Sequence, residues 1–213
     1  FNSITISKMS EISIDYRGCT IRIEQDFDAQ SPDDWGNEDI FLVYDHRDFC
    51  IKRKGFEPRK IFEHLSAKEP LRENYTDNDE FEMDYNDYAE SINTEYNDYW
   101  IFPVDAYIHS GVSLSLANTQ NYPDRRWDVS TTGYILAQKS SWENREDAYA
   151  VAQGVIKDWN DCLSGNVYGY TAEYNGEMIG SCWGFYGDYE SCALVEAKLE
   201  VDNYIQRHGL MKY

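Results

Sequence analysis

The feature that most restricts the possible folds is an Asn-Gly pair at residues 175–176, between two runs in which apolar and polar residues alternate. The runs cover residues 167–174 and 177–185. Asn-Gly between such runs is typical of the two-residue turn of a β-hairpin, because both residues tolerate positive φ. An isolated hairpin is marginally stable, so further strands or a helix must cover its apolar face.

Similar alternation predicts seven more strands, at residues 12–16, 20–23, 40–44, 49–52, 99–109, 112–116 and 133–138. Apolar residues at helical spacing predict helices at 58–65, 143–163 and 189–207. Pro58 suits a first helical turn, Ser141 is the expected N-cap of the second helix, and Gly165 follows its end. The expected fold class is α+β: a mostly antiparallel sheet with two long helices packed on one face, a small N-terminal β-rich lobe and an acidic insert.

Each of the two long helices is predicted to bury one apolar stripe. The expected core residues are Ala148, Val151, Ala152, Val155, Trp159, Cys162 and Leu163 in the first, and Leu194, Ala197, Val201, Tyr204 and Ile205 in the second.

Charge is distributed unevenly along the chain. The formal net charge is −20, from 39 acidic and 19 basic side chains, yet residues 73–124 contain 12 acidic side chains and no Lys or Arg. Solubility needs a net charge of only about 2–8 on a small domain. The surplus disfavours direct binding to nucleic acid or anionic lipid and favours a basic protein partner. We predict three parts: an N-terminal β-hairpin lobe with a short helix (1–72), an acidic segment (73–98) and a C-terminal α+β domain (99–213).

Several other classes of protein are disfavoured. No apolar run reaches 18 residues, and residues 1–8 lack the pattern of a signal peptide; Met9 is a candidate natural start. The five cysteines are odd in number and scattered without a CxxC, which predicts free buried thiols in a reducing cytoplasm and no zinc site. No cofactor is predicted, and the oligomeric state stays open, a dimer included.

The second half carries four distinctive strings. They are residues 107–115 (Tyr-Ile-His-Ser-Gly-Val-Ser-Leu-Ser), Trp127-Asp128 before Gly133-Tyr134-Ile135, residues 163–170 (Leu-Ser-Gly-Asn-Val-Tyr-Gly-Tyr) and residues 181–187 (Ser-Cys-Trp-Gly-Phe-Tyr-Gly). Over residues 99–207 the chain resembles a family of bacteriophage, plasmid and other mobile-element proteins. The resemblance implies a mobile-element origin, a small α+β fold and a bacterial cytoplasm, and it implies nothing about catalysis.

The acidic segment interleaves carboxylates with aromatics and amides. In a helix Asp84 and Asp87 would share a face with Tyr88, Ser91 and Glu95, and Glu80 would share a face with Asp84 and Asp87. Such rows could occupy a groove lined by Arg and Lys, as DNA does. Together with the mobile-element origin that the resemblance implies, this predicts a non-enzymatic DNA mimic that inhibits a host CRISPR effector or restriction enzyme. The predicted partner-binding residues are Asp77, Asp79, Glu80, Glu82, Asp84, Asp87, Glu90, Glu95 and Asp98, with Tyr85 and Tyr88 as aromatic anchors.

Other hypotheses have weaker support. A calcium loop starting at Asp77 would need Gly at its sixth and Glu at its twelfth position, where Glu82 and Tyr88 stand. His109 and Ser110, with Asp105 and Asp128, are candidates for nucleophilic catalysis, but adjacent strand residues point to opposite faces.

A pocket lined by Trp183, Phe185 and Tyr186 could serve an enzyme that acts on a nucleotide signal or a guide RNA. The basic cluster at residues 52–54 is expected to be a solvated strand end, and a regulatory interaction module without mimicry is the third class of function.

Overall fold

The computed structural model describes residues 11–46, 49–108, 111–122 and 128–210. These residues form an α+β structure with two antiparallel sheets and four α-helices. The strands are β1 Ile12–Tyr16, β2 Cys19–Gln25, β3 Ile40–His46, β4 Phe49–Ile51, β5 Tyr99–Ile108, β6 Val112–Leu116, β7 Val129–Gln138, β8 Val167–Tyr174 and β9 Glu177–Tyr186. The helices are α1 Pro58–Ser66, α2 Asn78–Ile92, α3 Arg145–Ser164 and α4 Ala193–Arg207.

The described residues fall into two compact units, one within Phe1–Trp35 and Lys157–Tyr213 and the other within Gly36–Ile156. The division falls inside α3, so this helix contributes residues to both units. In the described ranges, no helix is both long enough and apolar enough to cross a membrane.

The first unit is a four-stranded sheet, in the order β1-β2-β8-β9, with α4 on one face. The predicted turn is confirmed: Asn175 and Gly176 have φ values of 52° and 82° and join β8 to β9. The apolar stripe of α4 packs on side chains that alternate along β2 and β8. This core contains Cys19, Ile21, Ile23, Tyr168, Tyr170, Ala172, Ala193, Ala197, Val201 and Ile205.

The second unit is a five-stranded sheet in the order β4-β3-β7-β5-β6. Helix α1 buries Ile61 against one face, in a cluster that contains Phe41, Val43, Tyr134 and Leu136. Since Pro has no backbone N–H to lose at a first helical turn, Pro58 begins α1 as predicted. The acidic helix α2 follows α1 in the same unit.

The expected arrangement of one main sheet beside a separate N-terminal β-rich lobe differs from the structure, because strands distant in sequence pair into two sheets. β2 pairs with β8, and β3 pairs with β7. The two units therefore divide the chain at other places than the predicted boundaries at residues 72 and 98. Local alternation identifies strands, but it does not show which distant strand each one joins.

Two details of α3 also differ from prediction. The helix begins at Arg145, and its first turn is capped by Asn144, whose side chain accepts a hydrogen bond from the Asp147 N–H at 2.9 Å, instead of by Ser141. Of the predicted stripe, Ala148, Ala152 and Trp159 are buried, whereas Val151 is exposed.

Candidate partner-binding surface

The acidic segment forms a regular helix because its first turn is well capped. The Asp77 carboxylate accepts hydrogen bonds from the backbone N–H groups of Asp79, at 2.8 Å, and Glu80, at 3.4 Å. Asp79 and Glu80 also place negative charge at the N-terminal end of the helix dipole, where it is favourable. The helix continues to Ile92, so of the predicted residues Glu95 and Asp98 lie beyond it, in a 3₁₀ turn.

Helix α2 has no buried side chain, but its two sides differ in exposure. Phe81, Asp84, Tyr88 and Ser91 are half-buried. The exposed carboxylates of the helix are Asp79, Glu80, Glu82, Asp87 and Glu90. The predicted row Glu80, Asp84, Asp87 is therefore not a uniform face, since Asp84 is less exposed than its neighbours.

Asp84 has a partner within the segment. Its carboxylate accepts a 2.7 Å hydrogen bond from the Tyr75 hydroxyl, and this bond is the main reason why the pKa of Tyr75 is raised. Glu82 accepts a 3.0 Å hydrogen bond from the Asn78 side-chain amide and remains exposed. Asp84 thus holds Tyr75, near the start of the segment, in place. The other carboxylates of α2 are exposed to solvent.

The negative charge in the second half of α2 interacts unfavourably with the helix dipole. Its last turn contains Glu90 and no basic residue, although the C-terminal end of a helix dipole favours cations. Among the described residues, no Lys or Arg forms an ion pair with a carboxylate of the segment 73–98. The exposed carboxylates of α2 are therefore available to an external cation.

The linear density of charge along α2 is close to that of a nucleic-acid strand. The stretch from Asp77, the N-cap of α2, through Glu90 contains seven carboxylates, both ends included. At 1.5 Å per residue this stretch is about 20 Å long, which gives one charge per about 3 Å of axis. One strand of DNA presents a phosphate per about 3.4 Å of axis, and the duplex one per about 1.7 Å. Helix α2 thus matches a single strand and carries about half of the density of a duplex.

The aromatic anchors are not equivalent. Tyr85 is 41% exposed, and its ring lies 5.8 Å from Phe81 and 6.1 Å from Tyr88. Tyr88 is half-buried and is less accessible to a partner. Met83, which sequence reasoning missed, is 60% exposed. Helical spacing would have placed it between Asp79 and Asp87, since residues four apart are neighbours on a helix surface.

A groove of about 490 Å³ lies between α1 and α2. It brings Asp87, Glu90 and Glu95 together with Glu63, Lys60 and His64, three α1 residues that sequence reasoning missed. The i, i+3 and i, i+4 spacing of Lys60, Glu63 and His64 could have indicated a shared face of α1. Asp98 is exposed but does not line this groove.

His64 ties the end of α2 to α1. Its Nδ1 lies 3.2 Å from the Ser91 carbonyl oxygen and 3.2 Å from the Thr94 hydroxyl. The imidazole also meets the buried Tyr96 ring at a centroid distance of 5.6 Å, edge to face. These contacts fix one wall of the groove between α1 and α2. They also provide a partner for a backbone carbonyl in the last turn of α2, where the helix itself leaves carbonyls unpaired.

The contacts of Asp105 do not support the catalytic hypothesis. His109 and Ser110 lie outside the described residues. Asp105 is fully buried on β5 and accepts hydrogen bonds from the Asn118 N–H, at 3.2 Å, and from the Thr131 hydroxyl. These contacts assign Asp105 a structural part in the β5, β6 and β7 region.

The basic cluster at residues 52–54 contains one residue with clear structural contacts. The Arg53 guanidinium lies 4.0 Å from the centroid of the Phe41 ring and donates a 3.4 Å hydrogen bond to the Asn37 carbonyl. This arrangement holds a strand end in place.

The Trp183, Phe185 and Tyr186 side chains do not share one pocket. Phe185 lies on the α4 side of the sheet, 5.9 Å from the Tyr170 ring. Trp183 lies on the opposite side, against Gly169, because the bulge at Gly184, with φ of 84°, changes the alternation. Tyr186 contacts the Trp35 ring at 4.7 Å and donates a hydrogen bond to the Gln30 carbonyl.

All five cysteines are free, as predicted, but only Cys19 is buried; Cys50 and Cys182 are exposed. Within the described ranges, no group of three or more His, Cys, Asp or Glu side chains could hold a metal ion.

No protein-family model, curated protein or solved structure matches the chain, so its surfaces have to be interpreted from their own chemistry.

Proposed function

We propose that this chain is an inhibitor of a host nucleic-acid-targeting complex, a CRISPR effector or a restriction enzyme, and that it acts by mimicking DNA. Helix α2 would enter the basic channel of the complex and bind the Arg and Lys side chains that normally contact phosphates. The proposal places the protein in the cytoplasm of a bacterial host, encoded by a phage or another mobile element.

The observation that carries the proposal is the charge density of α2. A stretch of about 20 Å holds seven carboxylates, and five carboxylates of the helix are exposed. Since no ion pair among the described residues occupies them, an incoming guanidinium would not have to displace an internal cation. A carboxylate and a guanidinium form charge-assisted hydrogen bonds, as a phosphate and a guanidinium do.

The apolar side chains on α2 support a protein partner instead of a diffuse counterion cloud. Met83 and Tyr85 are exposed among the carboxylates. A thioether and a phenol ring provide apolar contact area and a surface on which Arg can stack. These two residues would add affinity that salt does not screen.

The function is tested by inhibition of purified, guide-loaded CRISPR effectors and restriction enzymes that cleave duplex DNA. The test protein, named the α2 variant, has Asp79, Glu82, Asp87 and Glu90 replaced by Lys. Each reversal removes an exposed attraction of about 0.2–1 kcal/mol and adds a similar repulsion, so the four should weaken inhibition by at least about tenfold. Inhibition by the native chain should weaken with salt and compete with DNA.

A matched control has the same change in net charge elsewhere. Asp28, Glu38, Glu143 and Glu177 are exposed, and none of their carboxylates forms an ion pair in the described parts of the chain. Reversing these four raises the formal charge from −20 by eight, as the α2 variant does. The control should inhibit like the native chain. Equal inhibition by the α2 variant, or inhibition at far below one chain per target complex, would contradict mimicry; the second result would indicate an enzyme.

A further inference from the structure

A second surface with defined chemistry lies on the first unit, on the side of its sheet opposite α4. Trp183 of β9 rests against the backbone of Gly169 in β8. A Cβ atom at residue 169 would lie only 2.1 Å from Trp183 Cε3, so the indole can occupy this place only because residue 169 is glycine. The Trp183 side chain is nevertheless 47% exposed, which leaves indole surface open to a ligand.

The register places a carboxylate on the same side. Glu24 of β2 pairs directly with Gly169 in the antiparallel β2–β8 ladder. Paired residues of neighbouring strands project to the same face, so Glu24 and the indole of Trp183 both stand over the Gly169 position. Glu24 is exposed, and no cation among the described residues forms an ion pair with it.

Arg22, on the same face of β2, is held by two other carboxylates. Arg22, two residues before Glu24, forms ion pairs with Glu173 and, at 3.0 Å, with Glu11. The pKa of Arg22 is raised chiefly by its hydrogen bond to Glu173 and less by the charges of Glu11 and Glu24, so Glu24 acts on Arg22 only at longer range. In the described parts of the chain, the cations that lie over aromatic rings contact Phe41, Phe81, Phe102 and Tyr16, and none lies over Trp183.

We propose that Trp183 and Glu24 form a binding site for an arginine side chain of a partner protein. The guanidinium would stack on the exposed indole and donate hydrogen bonds to the Glu24 carboxylate. This proposal concerns a different unit from α2 and does not rest on the proposed mimicry.

Arginine fits this site better than the other ligands of an aromatic platform. Its planar guanidinium stacks on an indole and donates two parallel bonds to a carboxylate, whereas the ammonium of lysine is a strongly hydrated point charge. A nucleotide would bring phosphate into a part of the chain, Phe1–Trp35 with Lys157–Tyr213, that contains 16 acidic and 7 basic residues. A carboxylate at the edge of the indole also repels phosphate, so charge complementarity favours a cation.

The site is tested by NMR on the full chain labelled with ¹⁵N. The six tryptophans give six indole N–H signals, and the signal lost in Trp183→Phe identifies Trp183. N-acetyl-arginine amide is titrated at constant ionic strength, and N-acetyl-lysine amide and adenosine are titrated in parallel. Arginine amide is expected to shift the Trp183 signal at least about three times as far as lysine amide does, with little change at the other five signals.

Exposed carboxylates provide the variant and its control. Glu24→Gln should reduce the shift caused by arginine amide about threefold or more, because it removes the charged acceptor. Glu177→Gln, at the start of the same strand as Trp183, should leave that shift unchanged. The α2 variant with four Lys residues should also keep the shift, so this site and the mimicry can fail separately. An equal response to lysine amide, a larger response to adenosine, or no response at Trp183 would overturn the proposal.

Discussion

Replacing Glu90 by Lys is expected to stabilise the protein, although it removes a residue to which we assign a function. Glu90 lies in the last turn of α2, where the helix dipole is unfavourable for an anion. It also follows Asp87 by three residues, and both carboxylates are exposed on neighbouring positions of the helix surface. Lysine at this position would turn two repulsive interactions into attractive ones.

The magnitude follows from these two interactions. Reversing a charge at a helix end changes the dipole interaction by about 0.6–2 kcal/mol, twice the value for one exposed charge. Reversing one member of an i, i+3 pair changes the pair energy by about 0.4–1 kcal/mol. Glu and Lys have nearly equal helix propensity, so this contribution cancels. Allowing for solvent screening, we expect Glu90→Lys to raise the free energy of unfolding by about 1–2 kcal/mol at low ionic strength.

Asp79→Lys is the matched control, because it makes the same change in net charge at the opposite end of α2. Asp79 lies in the first turn, where the dipole favours an anion, so reversing its charge loses about 0.6–2 kcal/mol. Relief of its repulsion with Glu82 returns about 0.4–1 kcal/mol. Asp79→Lys should therefore leave the stability unchanged or lower it by about 1 kcal/mol.

Urea unfolding of both variants and the native chain, followed by circular dichroism at low salt and at about 0.5 M NaCl, measures the difference. The difference should shrink at high salt because exposed charges are screened. If Asp79→Lys stabilises the protein as much as Glu90→Lys does, the positions of charges on α2 do not matter. Only the total charge would then count, and our account of the helix would be refuted.

Two further predictions concern the packing of glycines and the titration of Asp158. Gly133→Ala would place a Cβ 2.0 Å from Cδ2 of the fully buried Tyr44 and should lower the free energy of unfolding by about 1–3 kcal/mol. Gly154→Ala, inside α3 with no atom near its added Cβ, should instead raise the free energy of unfolding by about 0.5–1 kcal/mol. Burial raises the pKa of the Asp158 carboxyl in the folded protein. The stability that this group contributes is therefore fully present below the ordinary pKa range of carboxyl groups and is lost as pH rises through the pKa of folded Asp158. Asp158→Asn should therefore gain stability relative to the native chain between about pH 3 and pH 7, and a constant difference across this range would contradict that account.

Much of the fold could be predicted from sequence because the relevant interactions are local. The Asn175-Gly176 turn, the antiparallel pairing of β1 with β2 and the Pro58 start of α1 each depend on residues within a few positions of one another. The two-sheet arrangement could not be predicted in this way. It depends on the pairing of Ile21 with Ala172 and of Leu42 with Ile135, and nothing in a local pattern specifies such partners.

The candidate site shows the same limit. Helical spacing correctly groups Asp87 and Ser91, because both lie on one helix and line the same groove. It does not indicate that Tyr75 would hold Asp84, or that α1 would bring Glu63 and His64 to the same groove. Likewise, strand alternation places Trp183 and Phe185 on one face, and the bulge at Gly184 separates them. Contacts between elements and irregularities within strands are the information that the sequence pattern lacks.

The two proposed surfaces share a preference for arginine but should differ in their response to salt. Attraction by the carboxylates of α2 acts between exposed charges, and it should fall steeply as the Debye length shortens from about 10 Å at 0.1 M to about 3 Å at 1 M. Stacking of a guanidinium on the Trp183 indole includes dispersion and apolar contact, which salt does not screen. A partner that binds through both surfaces should therefore lose most of its affinity with rising salt and keep a residual, salt-resistant part. That residual part should vanish in a Trp183→Ala variant and persist in the α2 variant with four Lys residues, which assigns each component to its own surface.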